Sequence, residues 1–207
     1  MPSYAFVINL NRSDAGESIR LSPRSHIIRS NLSKRWFMTH TNSSFTPLHI
    51  AVLTVSDSRT AETDTSGAFL KQSLTEQGHQ LADSNIVADD RYLLRACLSG
   101  WIADPNIQVI ITTGGTGFRN RDITIDAISP LLDQQIPGFG ELFRHLSYLE
   151  IGSSTLQSQA LGGIANNTLL FCLPGSTGAC RTGWENILKP QLDAQHKPCN
   201  FAELFKA

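Results

Sequence analysis

Three runs, LHIAVLTVS (Leu48 to Ser56), IQVIITT (Ile107 to Thr113) and NTLLFCLP (Asn167 to Pro174), are apolar at nearly consecutive positions. A strand with one face in water alternates apolar and polar residues, whereas a near-continuous apolar run of this length belongs to a strand covered on both faces. Between the runs lie segments with helical spacing. DTSGAFLKQSLTEQG offers Asp64 as an N-cap, Phe69, Leu70 and Leu74 as an apolar face and Gly78 as a stop, and DDRYLLRACLSGWIAD puts Leu94, Leu98, Trp101 and Ile102 on one face. A further strand is expected near Gln80 to Val87. ITIDAISPLLDQ, PGFGELFRHLSYLEIG and STLQSQALGG read as helices, the first two separated by Pro137, and GACRTGWENILKPQLDAQ as a closing helix. Buried strands alternating with helices predict a three-layer α/β/α fold with a largely parallel central sheet.

At 207 residues the chain has the length of one such domain and is too short for two. Residues 38–207 are assigned to it. Residues 1–37 differ in chemistry: six basic residues against Asp14 and Glu17 make them +4, leaving −5 for the rest of a chain whose net charge is −1. They show no sustained apolar period, and Tyr4 to Leu10 lacks both a preceding basic region and a small-residue cleavage site, which argues against a secretory signal. A disordered tail, upstream sequence read from a start codon ahead of Met38, and an organellar transit peptide all fit this composition. The charge balance gives no support to nucleic acid or an anionic membrane as partner, and no run of 18 apolar residues offers a transmembrane span. Cys97, Cys172, Cys180 and Cys199 show no C-x-x-C spacing and are expected to be reduced and structural in a cytoplasmic protein. The six histidines form no H-x-H or H-E-x-x-H.

In a parallel sheet ligands bind beyond the carboxyl ends of the strands. The loops there read SDSRTAETDTSG, ADDRY, GGTGFRNRD and PGSTGACRTG, the polar and glycine-rich parts of the chain. Two of them run from a buried strand toward a helix start, where free N–H groups and the helix dipole favour an anion that glycine lets the backbone approach. Hydroxyls of Thr113, Thr116, Ser176 and Thr177 stand beside them. A plain βα turn is the competing explanation for either loop alone. GGTGFRNRD lacks the lysine of a P-loop, no G-x-G-x-x-G follows the first strand, and there is no G-x-S-x-G elbow. Asp89 and Asp122 end two of these loops, either as N-caps or as carboxylates that need a bridging cation such as Mg²⁺ beside a phosphate.

The segments TTGGTGFRNRDITIDAI, PGFGELFRHLS, DTSGAFL and IGSSTLQSQALGGIANNTLLFCLPGSTGACRTGWENILKPQLDA together resemble the MoaB/MogA family of molybdenum cofactor biosynthesis proteins, from about Leu48 to the C-terminus. The GGTG-x-x-x-RD-x-T signature, with a PGS loop at the expected distance, carries the likeness. The resemblance implies a molybdopterin-binding domain, Mg-ATP-dependent adenylylation of molybdopterin ahead of a molybdate-inserting protein, and homotrimers or hexamers. By that likeness Gly114, Gly115, Thr116 and Gly117 cradle a phosphate, Pro174, Gly175 and Ser176 form the facing anion loop, and Ser56, Asp57, Asp64, Ser66 and Gly67 line the rim. Asp122 and Asp89 take the catalytic and Mg²⁺-holding positions.

Two positions depart from the family pattern. Gln159 stands where many members carry Arg, and Gly178 where many carry Lys. Each change removes a cation near the anion site, worth about 1.5–3 kcal/mol as a charge-assisted contact. Two function classes therefore stand: a molybdopterin adenylyltransferase, and a non-catalytic member that binds the pterin or a partner. In GFGELFRHLSYL, Phe139, Phe143, Leu146 and Tyr148 cannot all face one sheet from one helix, so some are expected between subunits.

Overall fold

The computed structural model describes residues 44–206; the expectations for residues 1–37, and the domain start at Met38, lie outside them. The chain runs β1 (His49–Val55), α1 (Thr65–Gln77), β2 (Gln80–Val87), α2 (Arg91–Ala103), β3 (Val109–Thr113), α3 (Thr124–Ile128), β4 (Gln134–Gln135), α4 (Pro137–Ile151), β5 (Leu161–Ala165), β6 (Thr168–Leu173) and α5 (Thr177–Gly183). A π turn at Trp184–Leu188 prolongs α5 into a last helical turn, Lys189–Gln191.

The strands form one sheet in the order β2-β1-β3-β6-β5-β4. The pairs β1/β2, β1/β3 and β3/β6 are parallel, and β5 and β4 close the edge antiparallel. The two-residue period of a strand divides its side chains between two cores. Ile50 and Val52, Val109 and Ile111, and Leu169 and Phe171 face Leu70 and Leu74 of α1, Phe139 and Phe143 of α4, and Trp184. Ala51, Leu53 and Val55, Ile110, and Leu170 and Cys172 face Leu94, Leu98 and Trp101 of α2, with Ala127 and Ile128 of α3. Both faces of β1, β3 and β6 are thus covered, which is why their sequences are nearly continuously apolar. The three-layer, largely parallel architecture follows.

Helix α1 begins and ends as its sequence signals. Asp64 accepts from the Gly67 N–H, and Gly78 turns the chain out at φ 99°, a left-handed value natural to glycine. Two expected helices are corrected. ITIDAISPLLDQ keeps only α3 and a 3₁₀ turn, Ser129–Leu131, because Pro130 cannot donate to a longer helix; Gln134–Gln135 then pairs with β5. STLQSQALGG is a 3₁₀ turn, Gly152–Gln157, followed by a strand instead of a helix. Gly162 and Gly163 let β5 lie against Phe139 and Leu132, where a Cβ on the first would crowd the Phe139 side chain and one on the second would overlap the Leu132 methyl groups. In α4, Phe139 and Phe143 are buried and Leu146 packs on the same core, so three of the four residues Phe139, Phe143, Leu146 and Tyr148 are enclosed within their own domain. Only Tyr148 of that set is exposed, and Leu142 and Leu149 join it at the surface.

Candidate functional site

The carboxyl ends of β1, β3 and β6 lie side by side, so the loops that follow them must share one rim. Gly114 donates to Leu173 O at 3.1 Å, and the Thr113 hydroxyl to Pro174 O at 3.0 Å. Gly114 and Gly115 adopt φ 100° and 60°. A Cβ on Gly114 would strike the carbonyl oxygen of Val55; one on Gly115 would strike the Thr124 hydroxyl and lie 2.6 Å from Asp89 Oδ1. Glycine here is a steric requirement. Gly175 passes so near that its Cβ would sit 3.1 Å from Gly114 Cα, so the two loops meet backbone to backbone.

The glycine loop is then tied at its far end. Thr124 holds it twice, its hydroxyl donating to Gly114 O at 2.9 Å and its N–H to Gly115 O at 2.9 Å. Asp122 accepts the Arg119 N–H at 2.8 Å and donates its own N–H to Arg119 O at 2.8 Å, closing the turn. Thr116 is buried within it. Gln159 donates its side-chain amide to Gly117 O at 2.9 Å, so this departure from the family pattern places a neutral donor on the loop. Gly178 lies in the first turn of α5 with open space around it.

A cavity of about 170 Å³ opens between the loops, lined by Ser56, Ser66, Asp89, Gly115, Asp122 and Gly175 among others, with Arg59 and Arg121 as its cations. Asp89 Oδ1 is buried there with no hydrogen-bond partner, while the Asp89 N–H donates to Asp57 Oδ1 at 3.0 Å. Burial holds the Asp89 carboxyl above its ordinary pKa; the charges of Asp57 and Asp122 push the same way, and Arg121 opposes them. An orphaned carboxylate oxygen in the field of other negative charges is a place where a hard cation is favoured. Among the described residues no group of three or more His, Cys, Asp or Glu forms a metal-ligand set.

Asp64 sits in the rim in a different role. It is 3 % exposed, its Oδ2 accepts the Thr54 hydroxyl at 2.7 Å, and its Oδ1 accepts Gly67 N–H at 2.9 Å and the Ser66 hydroxyl at 3.3 Å. Both oxygens are engaged, Oδ1 in starting α1 and Oδ2 with Thr54 of β1, and a Cβ on Gly67 would overlap Oδ2. Ser176 does the same for α5, accepting from Ala179 N–H at 3.2 Å. The Thr65 and Thr177 hydroxyls, 3.1 Å apart, bring the starts of these two helices together. Their dipoles therefore converge beside the cavity. Arg59, Arg121 and Thr54 are site residues that the sequence does not mark as such; the R-N-R spacing inside the glycine loop is the one signal for Arg121, and Thr54, inside an apolar strand, carries none. Larger hollows exist elsewhere, one of about 400 Å³ at the opposite end of the sheet near Pro105, Asn167 and Phe205, but it holds none of the glycine-loop residues and no basic side chain.

The sequence profile described as a probable molybdopterin binding domain matches residues 51–194. Molybdenum cofactor biosynthesis protein B of Escherichia coli K12 is 53 % identical over 164 residues, 79 % of this chain and 96 % of that protein. The chain belongs to the MoaB/MogA family of molybdenum cofactor biosynthesis proteins. The Staphylococcus aureus COL protein B is a more distant MoaB/MogA relative, 46 % identical over 69 % of this chain and 86 % of its own length. Among solved structures of the family, a crystal structure of molybdenum cofactor biosynthesis protein B superposes with TM-score 0.71 at 42 % identity, covering 72 % of this chain and 94 % of that one. The tungsten cofactor synthesizing protein MoaB from Pyrococcus furiosus superposes at 0.62 with 36 % identity, covering 69 % and 91 %. The matched span contains all the loops that build the cavity. Among the described residues no helix is long and apolar enough to cross a membrane.

Proposed function

We propose that this MoaB/MogA member adenylylates molybdopterin. An oxygen of the pterin's terminal phosphate attacks the α-phosphorus of ATP, the bond from that phosphorus to the bridging oxygen of the β-phosphate breaks, and pyrophosphate leaves. The adenylylated pterin passes to a molybdate-inserting protein. The observation that carries the reading is the buried, unpartnered Oδ1 of Asp89 in a cavity walled by two glycine-bearing loops. Mg²⁺ binds through one or two carboxylates and completes its shell with phosphate oxygens and water. Asp89 and Asp122 are the residues that would hold it, and it would neutralise phosphate charge. Gly115, Thr116 and Gly117 with Gly175 and Ser176 bind the phosphates through backbone N–H groups. Gly114 and Pro174 hold the two loops in place, since the Gly114 N–H is given to Leu173 O and proline has none. Arg59 and Arg121 supply positive charge, and Ser56, Asp57, Asp64, Ser66 and Gly67 shape the rim. Phosphoryl-type transfer asks for positioning and electrostatics and needs no protein nucleophile. A cytoplasmic trimer or hexamer is the expected setting.

Gln159 and Gly178 favour a second reading, a non-catalytic binder that keeps the cradle with fewer cations. Incubation with molybdopterin, ATP and Mg²⁺ while pyrophosphate is followed separates the two. Asn in place of Asp122 keeps an acceptor for the Arg119 N–H, so Asp122→Asn leaves the loop closed and tests the charge alone; release is expected to fall on the order of tenfold or more. Wild-type protein that binds molybdopterin and ATP but releases no pyrophosphate selects the binder. Gln159→Arg with Gly178→Lys is expected to tighten ATP binding, by up to about tenfold per contact at low salt, and less as salt rises.

A further inference from the structure

Phe118 is 71 % exposed in the middle of the glycine loop. A single exposed aromatic is ordinary, but this one stands on a backbone fixed on both sides. Gly117 O before it is held by Gln159 at 2.9 Å, and the Arg119 N–H after it is held by Asp122 at 2.8 Å. Beside it opens a cavity of about 390 Å³ lined by Gly117, Phe118, Arg119, Asp122 and Gln157. Asp122 is also a wall of the smaller cavity that contains Asp89 and Arg121. The two hollows therefore adjoin: one is built from glycines, carboxylates and guanidinium groups, the other from an aromatic face, an arginine and an amide.

We infer that Phe118 is a stacking platform for the planar heterocycle of a phosphate-bearing ligand, and that the hollow beside it is the heterocycle subsite of the anion cavity. The inference rests on the proposed function for the phosphate half of the ligand and adds where its ring lies. An aromatic side chain on a fixed backbone has only two torsions to lose when a π face stacks on it, and such stacking is tolerant of the ring's identity. The Arg119 guanidinium makes no hydrogen bond or ion pair among the described residues, and Gln157 is exposed, so a donor fork and an amide are free to meet ring nitrogens and oxygens at the edge. Adenine and a pterin share this chemistry, and the experiment distinguishes them.

Affinities of wild type, F118A and F118W for pyrophosphate, ATP and molybdopterin are to be measured by calorimetry. F118A is expected to bind pyrophosphate as wild type does and to lose about five- to 150-fold in affinity for the ligand whose ring it carries. Loss for ATP alone places adenine there, loss for molybdopterin alone places the pterin there, and loss for both means that either ring occupies the subsite. F118W is expected to retain affinity and to show quenched indole emission, relative to wild type, when the ring-bearing ligand binds. Unchanged urea midpoint and mass in F118A exclude a folding or assembly effect. If F118A binds ATP and molybdopterin as tightly as wild type, the subsite is overturned while the proposed function stands. If wild type binds none of the three ligands, both are overturned.

Discussion

Gly115 lies in the glycine loop and Gly178 in the first turn of α5, and the same substitution is expected to act on them with opposite sign. At Gly115 the backbone is at φ 60° and an alanine Cβ would overlap the Thr124 hydroxyl, lie 2.6 Å from Asp89 Oδ1 and 3.2 Å from Val55 Cγ1. A non-glycine residue in the left-handed region costs about 1–2 kcal/mol. Forcing a methyl into a filled space costs about 1–3 kcal/mol more, and Thr124 cannot retreat without releasing Gly114 O, to which it donates at 2.9 Å. Gly115→Ala should therefore lose about 2–5 kcal/mol. At Gly178 nothing lies within 4 Å of the added Cβ, and the residue is helical. Gly178→Ala should gain about 0.5 kcal/mol from the smaller entropy of the unfolded chain. With a urea slope near 2 kcal/mol/M, the midpoint of Gly115→Ala falls by about 1–2.5 M and that of Gly178→Ala rises by about 0.25 M, measured by circular dichroism at one protein concentration. A Gly115→Ala midpoint at or above wild type would refute the reasoning, because it would mean that the loop relaxes freely and that its glycines are not sterically required.

Three further outcomes are expected. His79 is buried, its Nδ1 accepting from Leu48 N–H at 3.1 Å, and burial pulls its pKa down from 6.5 to about 4; stability is full above pH 6.5 and declines as pH falls toward 4, because the unfolded chain takes up the proton first. His79→Gln, which keeps an acceptor, should flatten urea midpoints across that window, and an equally steep profile would count against the assignment. Asp89 has the opposite sign: its pKa is raised, first by burial and then by Asp57 and Asp122, so its ionised form destabilises the fold and stability falls as pH rises through the raised value. Asp89→Asn should raise the melting temperature at pH 7 and lose that advantage at acidic pH; a lower melting temperature at pH 7 would show that the carboxylate is held by favourable contacts. Leu142 and Leu149, 44 % and 70 % exposed and seven residues apart on α4, are expected to be covered by another copy of the chain. Light scattering should give a trimer or hexamer that Leu142→Lys with Leu149→Lys dissociates, and a monomeric wild type at micromolar concentration would remove the claim.

Much of this molecule is local and therefore legible in its sequence. The apolar runs at Leu48, Ile107 and Asn167 are strands because every second residue enters a different core, and the Asp64 and Gly78 caps act within three or four residues of themselves. Parallel order then puts the polar loops at one end of the sheet, so the rim is legible from the alternation of strands and helices alone. The edge of the sheet was less legible. LGGIA carries two glycines and none of the β-branched density that marks a strand, and it becomes one by pairing with Thr168–Leu173 and by admitting Phe139 and Leu132 against its bare backbone. Propensity is silent where the partner supplies the reason.

The site divides along the same line. The amino-acid sequence by itself determined that glycine-rich loops with nearby hydroxyls and aspartates would follow buried strands, because strand, cap and turn signals span only a few residues. The tertiary structure alone decided what each group does. Asp64 has both oxygens engaged in an N-cap and in the Thr54 hydroxyl, whereas Asp89 keeps a buried oxygen free. Gln159 reaches Gly117 across 42 residues, and Thr65 meets Thr177 across 112. Whether a carboxylate is satisfied or orphaned depends on donors brought from distant segments, and only the packing of helices on both faces of the sheet fixes which donors arrive.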